Sequence, residues 1–141
     1  MNTINKPNKI KEIFPSIENK EYWIYAVNSH FQEKSEKLLI GKWLIFIPES
    51  EVDECWKIIK QNTENNSLGI SAKVSTAKPS PLGNSKERVI CVYNNCEDNQ
   101  EIFRTREKLR ELGFVKPLCY KQDIATYNKN YGCKSHLYCR K

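Results

Sequence analysis

Between Gly41 and Asp123 almost every boundary of the chain is marked by its residues, and the order they dictate is strand, helix, strand, loop, strand, helix, strand. GKWLIFIP is a short apolar run stopped by Pro48. The segment ESEVDECWKIIKQNTEN then sets Val52, Cys55, Trp56 and Ile59 at the i, i+3, i+4, i+7 spacing that lines one face of a helix. LGISAKVST and ERVICVYNN are β-branched and alternating, as strands are. EDNQEIFRTREKLRELG gathers Ile102, Thr105, Leu109 and Leu112 on one stripe and ends on Gly113, where a helix needs a residue free to turn left-handed. PLCYKQ is the strand after it. Upstream, YWIYAV puts Trp23, Tyr25 and Val27 on one face and Tyr22, Ile24 and Ala26 on the other, and HLYCR near the end is a last strand. Two strand-helix-strand units in succession predict helices packed on the same face of one sheet.

A chain of 141 residues fits one domain. Residues 1–20 are polar, carry Pro7 and Pro15 and show no period, so a flexible tail is expected there and a single domain over 21–141. No apolar run approaches the roughly 20 residues that span a bilayer, and the first residues contain no apolar leader. The expectation is an intracellular, cytoplasmic protein with no membrane contact. Of the six cysteines, Cys55 lies on the apolar helix stripe and Cys91 and Cys119 lie inside strands, so all six are read as reduced thiols. The net charge of +6 permits a nucleic-acid partner without requiring one. AKPSPLGNSKE, with its prolines and glycine between two strands, is an exposed loop.

Candidate chemistry begins on the strand from Gly69 to Thr76. Alternation sends Ile70, Ala72, Val74 and Thr76 to a dry face and Ser71, Lys73 and Ser75 to a polar one. If neighbouring strands repeat the theme, Lys73 and Lys121 share a polar surface with the loop residues Lys78, Lys86 and Arg88, beside Tyr93 and Tyr120. Cations next to aromatic rings suit a base stacked on a ring with its phosphates held by lysine or arginine. The same residues also read as ordinary solvated positions. A pocket beside them would draw on Trp43, Ser75, Thr76, Asp123, Thr126 and Tyr131. Trp56 belongs to the helix stripe and is core; Trp23 and Trp43 are able to contact a ligand, but strands apolar on both faces favour packing. Cys133, His136 and Cys139 offer three metal ligands within seven residues, one short of a structural zinc set, so no metal is expected. There is no nucleophile elbow, phosphate-binding glycine loop, dinucleotide fingerprint or HExxH, and hence no expected catalytic residue or cofactor.

GKWLIF, AKVST, RVICVY, LRELGF and YKQDIATY, in that order, resemble the family of the basophilic-leukaemia-expressed protein across most of residues 22–131. That resemblance implies a fold like the eukaryotic cap-binding translation initiation factor 4E: α+β, with a curved, mainly antiparallel sheet backed by two or three helices. In that fold 7-methylguanine lies between two tryptophans, paired with a glutamate, and basic residues hold the phosphates. Here the stretch between HFQEKSEKLL and GKW is too short to carry the second tryptophan and its glutamate. The resemblance leaves a phosphate-facing edge at Lys78, Lys86 and Arg88, with Tyr93 near where a tryptophan would stand. The leading expectation is a non-catalytic domain that binds RNA or a phosphorylated nucleotide through Lys73, Lys78, Lys86, Arg88, Tyr93 and Lys121. The alternatives are a protein-interaction module docking on the helix surface around Arg104, Arg106, Lys108 and Arg110, and, third, an enzyme using Lys73, Lys121, Asp123 and Tyr131.

Overall fold

The structure, a computed structural model, describes residues 12–30, 40–79 and 86–123, and 136–140 as backbone. Its elements are β1 (Trp23–Val27), β2 (Ile40–Pro48), α1 (Val52–Glu64), β3 (Ser71–Ser75), β4 (Glu87–Asn95), α2 (Asn99–Glu111), β5 (Leu118–Gln122) and β6 (His136–Arg140). The strands form one sheet in the order β1-β3-β4-β2-β5-β6, every neighbouring pair antiparallel. The expected α+β class, with a mainly antiparallel sheet and two helices, is what the chain adopts. Most of the expected loop between β3 and β4 lies outside the described residues.

Both helices stop in the same way. In α2 the N–H of Phe114 donates to the carbonyl of Leu109 at 2.9 Å and that of Gly113 to Arg110 at 3.0 Å, with Gly113 at φ 107°. In α1 the N–H of Ser67 donates to Asn62 at 2.8 Å and that of Asn66 to Thr63 at 3.3 Å, with Asn66 at φ 72°. These bonds satisfy carbonyls that a helix end leaves bare, and asparagine is one of the few side-chain-bearing residues that tolerates the left-handed turn. The start of α2 is capped by Asp98, whose carboxylate accepts from the N–H of Glu101 at 3.1 Å. Asp98→Ala is therefore expected to lower stability by about 1 kcal/mol. Urea titration measures this, and a change under about 0.3 kcal/mol would show that the helix start is held by something else.

Alternation along the strands decides what the helices cover. Ala26, Ala72, Val74, Ile90, Val92 and Ile45 face α1 and α2, meeting Val52, Trp56 and Ile59 from one and Ile102 and Leu109 from the other in a single core. Trp43 is in its centre at 0% exposure, its indole N–H donating to the carbonyl of Ile102 at 3.1 Å and its ring edge-on to Tyr120 at 5.1 Å. Two expectations are corrected here. Trp43 is a core residue and lines no open pocket, and Tyr120, adjacent in sequence to Lys121, faces the helices while Lys121 faces away.

Residues 12–20, grouped by sequence with a tail, are tied to α1: Pro15 is buried, and the backbone N–H and hydroxyl of Ser16 both donate to the carboxylate of Asp53. A further correction concerns the thiols. Cys55, Cys91 and Cys96 are free, but Cys119 is disulfide-bonded. The β5/β6 register sets Cys139 directly opposite it, a tertiary pairing that spacing along the chain does not announce.

Candidate functional site on the open sheet face

The face turned away from the helices is built by register. One row across the sheet reads Tyr25, Lys73, Cys91, Leu44, Cys119, and the next reads Val27, Ser71, Tyr93, Lys42, Lys121. Successive rows lie two residues apart along the strands, about 6.7 Å, so a long side chain in one row reaches the next. Lys73 uses that reach: its ammonium sits 3.9 Å from the centre of the Trp23 ring and 6.0 Å from that of Tyr93. Lys42 lies 5.6 Å from the Tyr93 ring from the other side and is ion-paired to Asp123 at 2.8 Å. Lysines on β3 and β2 thus lie against two aromatic rings, Lys121 of β5 stands beside Lys42 in the register, and Asp123 is ion-paired to Lys42.

Electrostatics follow from this crowding. Burial depresses the Lys73 ammonium below the usual lysine range, aided by Lys42 and opposed by Cys91 and Asp123. Burial raises the Cys91 thiol despite the two lysines near it, so Cys91 is a neutral, packed thiol and no activated nucleophile. Burial likewise pushes the Tyr93 phenol far above its ordinary range, with Cys91 and Asp123 adding to the effect. The Lys73 ammonium is thus half-buried against two rings, with no ion pair to a described residue.

Of the residues expected at the site, Lys73, Tyr93, Lys121, Ser75 and Asp123 come to this face or its rim. Ser75 spends its hydroxyl on accepting the N–H of Val89 at 2.9 Å. Lys78 lies at the β1 end, its ammonium on the Lys20 carbonyl at 3.0 Å and 4.3 Å from the Tyr22 ring. Lys86 is exposed just before β4. Arg88 does not belong with them: as an even member of β4 it is buried on the helix side, paired with Glu49 at 3.1 Å. Thr76 is also buried on that side, its hydroxyl donating to the Glu21 carbonyl. Thr126, Tyr131 and Cys133 lie outside the described residues, and His136 and Cys139 are placed only as backbone of β6.

Sequence reading missed Lys42 and undervalued Trp23. Both were legible: alternation in GKWLIFIP sets Lys42 opposite in face to Trp43, and Trp23 shares a face with Tyr25. The helix surface considered for a protein partner has contacts of its own. Arg106 is buried, donating to the carbonyls of Phe114 at 2.9 Å and Lys116 at 2.8 Å, and Arg104, Lys108 and Arg110 are matched to Glu101, Glu111 and Glu107. What remains there is a charge-balanced helix surface.

A family model described as basophilic leukemia-expressed protein Bles03 matches residues 31–128. The chain belongs to this family. The matched residues hold β2 through β5 with both helices, and with them Lys42, Lys73, Tyr93, Lys121 and Asp123; β1, with Trp23 and Tyr25, precedes them. The Bles03 match therefore includes the lysines of the open face but not Trp23. Among the described residues no helix is long and apolar enough to cross a membrane.

Proposed function

We propose that this member of the Bles03 family is a non-catalytic binding domain whose open sheet face takes a phosphorylated nucleotide, free or within single-stranded RNA. We place its architecture with that of the cap-binding translation initiation factor 4E, whose antiparallel sheet also carries its helices on one side. The observation that carries the reading is the placement of Lys73: a half-buried ammonium against Trp23 and Tyr93, flanked by Lys42 and Lys121 on the same face. The rings offer stacking surface for a base, and the lysines offer charge to its phosphates. The Tyr25 ring, beside Lys73 in the register and 63% exposed, extends the stacking surface.

The test is a titration with guanosine triphosphate, 7-methylguanosine triphosphate and a short single-stranded RNA, at low and moderate salt. Trp43 and Trp56 are buried, so quenching of tryptophan fluorescence on binding reports chiefly on Trp23. Saturable binding is expected, weakening as salt rises. Lys73→Glu is expected to reduce affinity at least about tenfold, since a charge-assisted contact is replaced by repulsion. Affinity should also fall as pH rises through the alkaline range, and sooner than for an ordinary lysine, because Lys73 in the free protein loses its proton below the usual lysine pKa. Failure of all three ligands to bind, or an unchanged affinity in Lys73→Glu, would discard the reading.

A further inference from the structure

β1 ends the strand order, so one of its long sides has no strand beside it among the described residues. The groups it offers there are fixed by the ladder on its other side. The N–H of Thr76 donates to the carbonyl of Tyr22 at 3.1 Å, and the N–H of Asn28 to that of Ile70 at 3.0 Å. With Ile24 opposite Val74 and Ala26 opposite Ala72, the residues that turn their backbone groups toward β3 are Tyr22, Ile24, Ala26 and Asn28. Antiparallel alternation then turns the N–H and C=O of Trp23, Tyr25 and Val27 outward. The side chains of those residues lie on the open face, where Tyr25 is 63% and Val27 58% exposed. Natural edge strands are blunted by lysine, proline, a bulge or a covering segment; WIYAV has no charge, no proline and a regular register, and Glu12–Pro15, which line a cavity with Ile24, Tyr25 and α1, add no strand to it.

We propose that a second copy of this chain pairs with this edge, antiparallel and centred on Tyr25, so that two sheets become one. The outward residues are symmetric about Tyr25, which is what a two-fold pairing needs. Tyr25 meets its own counterpart, Trp23 meets the second copy's Val27, and every outward N–H finds an outward C=O. The flanks agree, since Glu21 falls opposite Ser29 and Lys20 opposite His30, and no like charges meet. A two-fold axis normal to the sheet keeps both open faces on the same side. Each Trp23–Lys73 pair then gains a wall from the other copy's Val27, and the two sites form one continuous surface. This pairing goes beyond the binding reading and does not depend on it. Five residues of edge are short against the roughly 1,000 Å² that a stable interface buries, so the dimer is weak and concentration-dependent.

Sedimentation velocity of the full chain over a wide concentration range tests this, with three variants. Tyr25→Pro removes an outward N–H together with the phenol ring and none of the N–H groups that bond to β3; Tyr25→Lys sets two ammonium groups against each other on the axis. Each is expected to weaken dimerisation at least tenfold while circular dichroism stays that of the wild type. In Tyr25→Cys the two thiols lie on a bonded antiparallel pair with Cα atoms about 5.5 Å apart, within disulfide reach. Mild oxidation should then give a covalent dimer that neither the wild type nor Tyr22→Cys gives. A dimer that survives both Tyr25→Pro and Tyr25→Lys overturns the proposal. So does a monomer at every concentration with no Tyr25→Cys cross-link, including one whose edge takes up an added extended peptide instead.

Discussion

Arg106→Ala is expected to destabilise the protein by about 3 kcal/mol, because a buried guanidinium at 2% exposure is serving as a backbone connector. Its two Nη groups donate to the carbonyls of Phe114 and Lys116, the segment that carries the chain from the end of α2 to β5. Its Cζ lies 5.9 Å from the centre of the Trp43 ring, beside the core tryptophan. Burial lowers the guanidinium pKa, with Arg110 adding to the effect, and no carboxylate pairs with it among the described residues; the two carbonyls offset its desolvation. Alanine removes the bonds and leaves a void under Trp43. Arg106→Lys, which keeps the charge but lacks the planar fork, should fall between the two. Urea unfolding would measure both variants. A loss below about 1 kcal/mol for alanine would mean that the segment after α2 is held by Gly113 and Phe114 alone.

Gly69→Ala is expected to cost about 3 kcal/mol and to weaken ligand binding as well, for a reason of space and not of backbone angle. A Cβ at Gly69 would run into the carbonyl oxygen of Tyr93, and backbone cannot swing aside as a side-chain end can. That same carbonyl accepts the N–H of Ile70 at 3.0 Å, and the Gly69 carbonyl accepts from the side chain of Asn28 at 3.0 Å. Displacing β3 from β4 here would move Tyr93 relative to Lys73, so affinity for nucleotide should drop together with stability. Thermal unfolding and the fluorescence titration test the two parts. Wild-type stability would show that the strands can part without cost; wild-type affinity in a destabilised protein would separate the Tyr93 position from binding.

Local pattern carried much of this fold. The stripes of Val52, Trp56 and Ile59 and of Ile102, Thr105 and Leu109 are buried as their spacing requires, and Gly113 takes the left-handed turn its position predicts. Alternation placed Lys73 apart from Ala72 and Val74 correctly. The misreadings at the site came from grouping residues by nearness in sequence. Tyr120 is next to Lys121, and Arg88 closes the loop that holds Lys78 and Lys86, yet in a strand adjacent residues face opposite ways. Applying the alternation rule to β4 and β5 as strictly as to β3 would have removed both, and applying it to β2 would have brought in Lys42. Arg106 was read as one more solvated charge because helix periodicity sets it beside the stripe, and only the path of residues 114–116 gives it carbonyls to bind.

The sequence by itself determined the number, kind and order of the elements from β1 to β5 and which side of each one is apolar, because those depend on backbone preferences and periodicities of a few residues. The tertiary structure alone decided that β1 lies beside β3 at the sheet's edge, that Lys42 stands between Tyr93 and Lys121, that Trp23 lies under the Lys73 ammonium, and that Cys119 is bonded. These are long-range pairings. Strand order is set by how two helices and one sheet bury a shared core, and no local window of the chain contains that information.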